Sequence, residues 1–252
     1  MPSITTPAII LHVMPYGETS MILRLLTRDL GLASGIARGA RRAKSRTGPR
    51  LDLFMAGTAT LFVKPNRDLH PLTQFEATDT HERLATDVRR FAAGSALAEL
   101  ALKCAPADPH PQVFDAVSAG FAALEHTEDD SADTVALLVC WGLVVSLGFA
   151  PTLDACVVCD QPIDGRVAFS PAQGGALCAI HRAGVSTSML AEADAAALAA
   201  LVGGRLPEPL DARHAAAHRR LLLGFIRHHL AEHRSLPALT FWDAEPWNIT
   251  SS

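Results

Sequence analysis

The sequence predicts a multidomain α+β protein, in which a small N-terminal β-barrel precedes an α-helical bundle carrying an inserted metal-binding module. Three observations support this. The hydrophobic period changes from strand-like to helical near residue 80. The charge also changes sign: residues 1–70 carry ten Lys or Arg against four Asp or Glu, a net of +6, while residues 71–252 carry twelve against twenty-two, a net of -10. Finally, four soft metal ligands fall within one 26-residue segment, Cys156 to His181.

From Ala8 to Gln74 the apolar runs are short and broken by turn residues. AIILHVM is followed by PYGE, SMILRLLT by RDLG, and LASGIA by a basic stretch; LDLFMAGTATLFV then leads through PNRD to LHPLTQF. In the fourth run Leu53, Met55, Ala59, Leu61 and Val63 share one parity and so one face, with Phe54 and Phe62 on the other. Five strands in about 70 residues fit a partly closed antiparallel barrel of the OB-fold type. This assigns residues 1–79 to a barrel domain suited to nucleic acid.

Residues 80–252 form the helical domain. HERLATDVRRFAAGSALAELALKCA is a first helix, with Leu84, Val88, Phe91, Ser95 and Leu97 near one side and Pro106, Pro109 and Pro111 beyond its end. PQVFDAVSAGFAALEH is a second, and the apolar run after Ser131 a third. MLAEADAAALAALVG and ARHAAAHRRLLLGFIRHHLAEH complete the bundle. The third run is interrupted by Gly142, Ser146, Gly148 and Pro151, so it reads as a buried helix and not a membrane span. The N-terminus MPSITTPAIIL lacks the charged and apolar regions of a secretory signal, and a cytoplasmic protein is expected.

The insertion, at about residues 153–185, reads CVVCDQPIDGRVAFSPAQGGALCAIH at its centre. Cys156, Cys159, Cys178 and His181 have the spacing Cys-x2-Cys-x18-Cys-x2-His, which lets two tight turns converge on one tetrahedral Zn²⁺. Zinc deaminases pair a Pro-Cys-x-x-Cys with a preceding His-x-Glu and leave one coordination position open. Here Ala155 precedes the first Cys, no His-x-Glu is present, and His181 supplies a fourth ligand, so one structural Zn²⁺ is expected. Cys104 and Cys140, in apolar helical contexts, read as buried small side chains.

Other clusters are less specific. His214 and His218, and likewise His229 and His233, lie four apart on a predicted helix, but Ala215 and Leu230 stand where a metalloprotease has Glu; both pairs read as structural. Glu125, Glu128, Asp129, Asp130 and Asp133 read as a solvated acidic loop preceding a helix. No phosphate loop, His-Glu-x2-His or Gly-x-Ser-x-Gly motif occurs, and no catalytic constellation is expected.

The basic stretch ARGARRAKSRTGPR, residues 37–50, holds six cations and no carboxylate. Arg38, Arg41, Arg42, Lys44, Arg46 and Arg50 are therefore candidate phosphate contacts, with Arg24, Arg28, Lys64 and Arg67 behind them. Tyr16, Phe54, Phe62 and Phe75 are the aromatic side chains of this half, and packing on the helical domain competes with base stacking for Phe54 and Phe62. A zinc-dependent nucleic-acid enzyme, a deaminase or nuclease, and an RNA-binding OB-fold are the alternatives.

AIILHVMPYGETSMILRLLTRDLGLASGIARGARRAKSR, with LGFAPTLDACVVCD, VAFSPAQGGALC and AIH, resembles the RecO family of DNA repair and recombination proteins. The resemblance implies an OB-fold, a helical domain and a zinc-binding insertion. It also implies binding of single- and double-stranded DNA, strand annealing, and work beside RecR and the single-stranded DNA-binding protein SSB to load RecA, without catalysis, in the cytoplasm at the nucleoid. His181 stands where many relatives have Cys. An SSB tail is acidic and apolar; the helix from Arg213 to His233, with Arg219, Arg220, Leu223, Phe225 and Arg227, is the candidate receptor.

Overall fold

β1 (Ser3–Tyr16) starts five residues before the apolar run that marks it in the sequence, because Ser3–Ile9 pairs antiparallel with β4 while Ala8–Tyr16 pairs with β2. The computed structural model describes residues 3–41, 51–63, 67–231 and 234–245. A register shift between Ile10 and His12 bends β1, so that one strand serves both neighbours. β2 (Ser20–Thr27), β3 (Gly31–Ala37), β4 (Ala56–Phe62) and β5 (Leu69–Asp79) complete a closed barrel of order β1-β2-β3-β5-β4, antiparallel throughout except for β3 with β5. This is the OB-like barrel expected from the strand count. Ala8, Ile10, Leu23, Leu25, Ala33, Ala59, Leu61, Leu72 and Phe75 fill it.

The fourth strand differs from its expected course. It begins at Ala56, with Gly57, Ala59 and Leu61 facing inward, so Leu53 is not part of the strand face. Before it, the Phe54 N–H donates to the Ile10 carbonyl and the Ile10 N–H to that of Met55, both at 2.9 Å. Phe54 adopts a left-handed φ of 71°, and its ring is fully buried against Phe91 and Phe121 at centroid distances of 5.7 and 5.2 Å. Gly94 makes room for it, since a Cβ there would lie 3.2 Å from the ring. Burying this ring offsets a backbone cost of about 1–2 kcal/mol. Phe75 is also core, so neither ring presents a face to bases.

The chain divides into two units, Met1–Glu125 and His126–Ser252. In the first, the single helix expected after the barrel is split at Asp87 into α1 (Glu82–Thr86) and α2 (Val88–Cys104), because the Asp87 carboxylate accepts the Arg90 N–H at 2.8 Å and caps a new helix. The buried side of α2 is Ala92, Ala93, Ala96, Leu97 and Leu100; Val88 and Phe91, expected on the core side, are substantially exposed. α3 (Pro111–His126) follows. Glu125 leaves the acidic loop in which it was expected: its Oε2 meets buried His81 Nδ1 at 2.7 Å.

In the second unit α4 (Ala132–Ser146) is buried along most of its length, including Cys140 and Trp141. Burial pushes the Cys140 thiol up to about 12, while Cys104 is only half-buried, contrary to expectation. β6 (Val167–Ser170), β7 (Gly175–Leu177) and β8 (Ser188–Leu190) make a three-stranded sheet of order β7-β6-β8. Met189 and Leu190, expected at a helix start, belong to this sheet. α5 (Glu192–Val202), α6 (Ala212–His229) and α7 (Pro237–Ala244) are the remaining helices among the described residues, and sequence periodicity gives no sign of α7. Among the described residues, no helix is long and apolar enough to cross a membrane.

Candidate functional site

Two tight turns build the metal cluster. The Cys156 carbonyl accepts the Asp160 N–H at 2.9 Å, and the Cys178 carbonyl accepts the Arg182 N–H at 3.0 Å, so each turn projects its two ligands to one side. Gly175 permits the approach that joins them: a Cβ would lie 2.2 Å from the Thr152 carbonyl oxygen. One donor atom each from Cys156, Cys159, Cys178 and His181 lies within 4.8 Å of every other. His181 Nδ1 is 3.6 Å from Cys156 Sγ and 3.3 Å from Cys178 Sγ, and Cys159 Sγ is 4.0 Å from Cys178 Sγ. A tetrahedral ion with zinc-like bond lengths requires S···N near ~3.5 Å and S···S near ~3.8 Å. The four side chains could therefore hold one metal ion with little movement.

Their electrostatics suit a cation. Burial pushes the Cys156 thiol up, but the backbone N–H groups of Cys178, Val158 and Cys159 and the His181 ring outweigh it and bring it down to about 6. The His181 and Ile180 amides and the His181 ring lower Cys178 against burial, and the two sulfurs in turn raise His181. At Cys159 the Gln161 amide is outweighed by burial and by the Cys156 and Cys178 sulfurs, so this thiol is raised. Thiolate is favoured at two positions and crowded at the third, a state relieved by a bound cation.

The barrel presents a second arrangement. Cross-strand pairing places Met14 beside Ile22, Ile22 beside Ile36 and Ile36 beside Pro71, an apolar row crossing β1, β2, β3 and β5. The adjacent row pairs His12 with Arg24 and Arg24 with Ser34. His12, Met14, Tyr16 and Arg24 are exposed, as are Arg38 and Arg41 past the end of β3. The Arg41 N–H donates to the Thr19 carbonyl at 3.0 Å, which ties the start of the basic stretch to the turn between β1 and β2. Arg67 is exposed immediately before β5. Arg28 is engaged by Asp115. Arg42, Lys44, Arg46, Arg50 and Lys64 lie outside the described residues. Neither row was anticipated, because the bulge after Ile10 changes the parity of β1.

The proposed receptor helix needs correction. Arg219 and Leu223 are buried, and Phe225 packs on Trp141 at a centroid distance of 5.3 Å. The Arg219 guanidinium lies 3.2 Å from Asp133, 2.6 Å from Glu245 and 5.8 Å from the Trp242 ring centroid, so its charge is used internally. Arg220 and Arg227 face solvent, Arg227 donating to Thr240 Oγ1 at 3.2 Å. His229 is structural, its Nε2–H donating to the Pro171 carbonyl at 2.7 Å; His233 lies outside the described residues.

Comparison with known proteins matches residues 1–81 to the family described as Recombination protein O N terminal and residues 85–237 to Recombination protein O C terminal. A DNA repair protein RecO of Anaeromyxobacter dehalogenans (strain 2CP-C) is 33% identical over 250 residues, 96% of this chain and 97% of that protein. Another, from Synechococcus sp. (strain JA-2-3B'a(2-13)), is 31% identical over 86% of this chain and 81% of its own length. With an OB-like barrel, a helical region, a Cys3His cluster and these matches along almost its whole length, the chain belongs to the RecO family of DNA repair proteins.

Proposed function

We propose that the chain binds single- and double-stranded DNA without sequence preference and anneals complementary strands, acting without covalent catalysis. The observation that carries this reading is the face of β1–β3, where an apolar row is flanked by Arg24, Arg38 and Arg41. Cations neutralise phosphates, while Tyr16 and Met14 offer a surface against which unstacked bases can lie. Residues 1–79 are the DNA-binding domain in this reading. Arg42, Lys44, Arg46 and Arg50 belong to the same contact set on charge and sequence proximity.

Family membership supports a place beside RecR, with SSB-coated DNA as substrate and RecA loading as the outcome, in the cytoplasm at the nucleoid. Residues 80–252 are the partner-binding half in this reading. The rim for an SSB tail narrows to Arg220 and Arg227; Arg227 bonds Thr240, and the next residue in the chain, Phe241, is exposed. Zinc is the ion that best fits three thiolates and an imidazole at these spacings; when bound it cross-links the two turns of residues 153–185 and stabilises the insertion.

Annealing of complementary strands coated with SSB is the decisive experiment. Acceleration by the full chain, lost when Arg24, Arg38 and Arg41 are replaced by Ala, is the expected result; no acceleration by the wild type overturns the reading. Competition with RNA of the same sequence tests the RNA-binding alternative. Incubation of end-labelled DNA with the zinc-loaded chain tests the nuclease alternative, and unaltered strands are expected.

A further inference from the structure

The insertion carries a groove that metal binding does not use. Part of its lining is a cross-strand row on the three-stranded sheet: Ala168 of β6 stands opposite Leu177 of β7 and Met189 of β8, so the three side chains share one face. Ile163 and Ile180 complete the apolar lining of this groove, which has a volume of about 600 Å³. Ile180 is 75% exposed and Met189 52%. One exposed apolar side chain is ordinary, but two lining the same concave space form a patch of the kind that marks an interaction site.

Charge decides what such a groove fits. Arg166 and Arg182 line it, both are exposed, and among the described residues neither forms an ion pair with a carboxylate. Arg182 Nη1 reaches Met189 Sδ at 3.4 Å, a weak acceptor that leaves the guanidinium free to take a better one. Against these two cations the lining has one carboxylate, Asp164. A smaller groove of about 270 Å³ on the α5 side has the reverse character, with Asp154, Asp164 and Glu192 in its lining and no Lys or Arg. No aromatic side chain lines the larger groove, so an unstacked base finds no ring to lie on, and a peptide fits better than a nucleic acid.

We propose that the larger groove docks a segment of a partner protein that carries Asp or Glu on either side of an apolar side chain. The apolar side chain packs on Ile180 and Met189, and the flanking carboxylates accept paired N–H donors from Arg166 and Arg182. The acidic groove beside it repels the same segment, so the charge pattern selects one of the two. Ile180 lies within the turn closed by the Arg182 N–H and the Cys178 carbonyl, and Arg182 ends it. The turn that presents Cys178 and His181 to one side thus also presents a docking residue and a cation. The site uses neither Arg220 nor Arg227 of α6, so the two assignments stand or fall separately.

The test uses the full, zinc-loaded chain and a display library of short random peptides built from Asp, Glu, Leu, Ile, Phe, Gly and Ser, beside a matched library with Lys and Arg in place of the acids. The expected result is enrichment from the acidic library alone, with the enriched peptides binding less tightly as salt rises in fluorescence anisotropy. Replacing Arg166 and Arg182 together by Ala should weaken these peptides by about 10-fold or more, and Ile180→Ser by about 10-fold. All three side chains are exposed, so zinc content should be unchanged. Replacing Arg220 and Arg227 by Ala should leave peptide binding at the wild-type level. No enrichment of the acidic library over the basic one, or equal peptide binding by the Arg166 and Arg182 variant, would overturn the assignment. So would a variant that loses oligonucleotide binding in place of peptide binding, which would make the groove a nucleic-acid contact.

Discussion

Replacing Arg24, Arg38 and Arg41 together by Ala should flatten the salt dependence of single-stranded DNA binding by about 2 in the slope of log K against log salt, at about 0.7 for each phosphate no longer neutralised. The exposed, described cations of the barrel face are these three and Arg67. One phosphate each gives a slope near about -2.8, a loss of roughly 50-fold in affinity between 50 and 200 mM salt. With Arg67 alone the same change costs roughly 3-fold. Cations within residues 42–50 steepen both curves alike, so the difference between wild type and variant is preserved. All three side chains are exposed, and their removal should change folding stability by less than about 0.5 kcal/mol. Arg28→Ala is the internal control: its charge is committed to Asp115, so the slope should not move. Fluorescence anisotropy with a labelled oligonucleotide at four salt concentrations reads both quantities. An unchanged slope in the triple variant, or equal flattening by Arg28→Ala, would refute the assignment of this face.

Three further expectations concern the framework. Phe54→Ala removes a fully buried ring and should cost about 3–5 kcal/mol, lowering Tm by about 10 °C in a thermal melt, with no selective effect on the salt slope. Arg219→Ala leaves Asp133 and Glu245 without their shared cation and should destabilise by about 3–5 kcal/mol in urea unfolding, whereas Arg219→Met, which retains the packing against Trp242, should cost less. Cys159→Ser, or removal of metal by a chelator, should release the ion of the Cys3His cluster and speed exchange of the Val157 and Ala176 amides, which bond across the insertion, while those of the barrel strands stay protected.

Period and spacing made the barrel and the ligand cluster readable, since each depends on short-range order. Alternation in SMILRLLT and LASGIA locates β2 and β3 directly, and Cys-x2-Cys with Cys-x2-His needs only two turns. What escaped depends on partners distant in sequence. Thr5 and Thr6 look like a polar lead-in and are strand only because β4 lies beside them. Phe54 lies off the core parity of its run, and it is Gly94, forty residues on, that supplies the space to bury its ring. Helical periodicity named Val88 and Phe91 as core, but α2 packs through its Ala side, where small side chains permit close approach. Arg219 and Leu223 had the composition of a docking surface, and only the positions of Asp133, Glu245 and Trp242 reveal that Arg219 is consumed inside the fold.

Arginine therefore plays two opposed roles in one chain, and a count of charges does not separate them. In the barrel half, Arg24, Arg38, Arg41 and Arg67 stand in solvent, so the net of +6 over residues 1–70 includes a local field available to a polyanion. In the acidic half, Arg219 is buried between carboxylates and contributes cohesion in place of field. Desolvating a guanidinium is worthwhile only where carboxylates and an aromatic face already wait for it, a condition that Asp133, Glu245 and Trp242 meet. A phosphate contact requires the reverse: a cation kept hydrated and unpaired until the backbone of the nucleic acid displaces its counterions. Arg28 marks the boundary between the two roles, lying in the basic half yet paired with Asp115. This is why the salt slope of Arg28→Ala, set against that of the triple variant, separates positive charge in the sequence from positive charge offered to DNA.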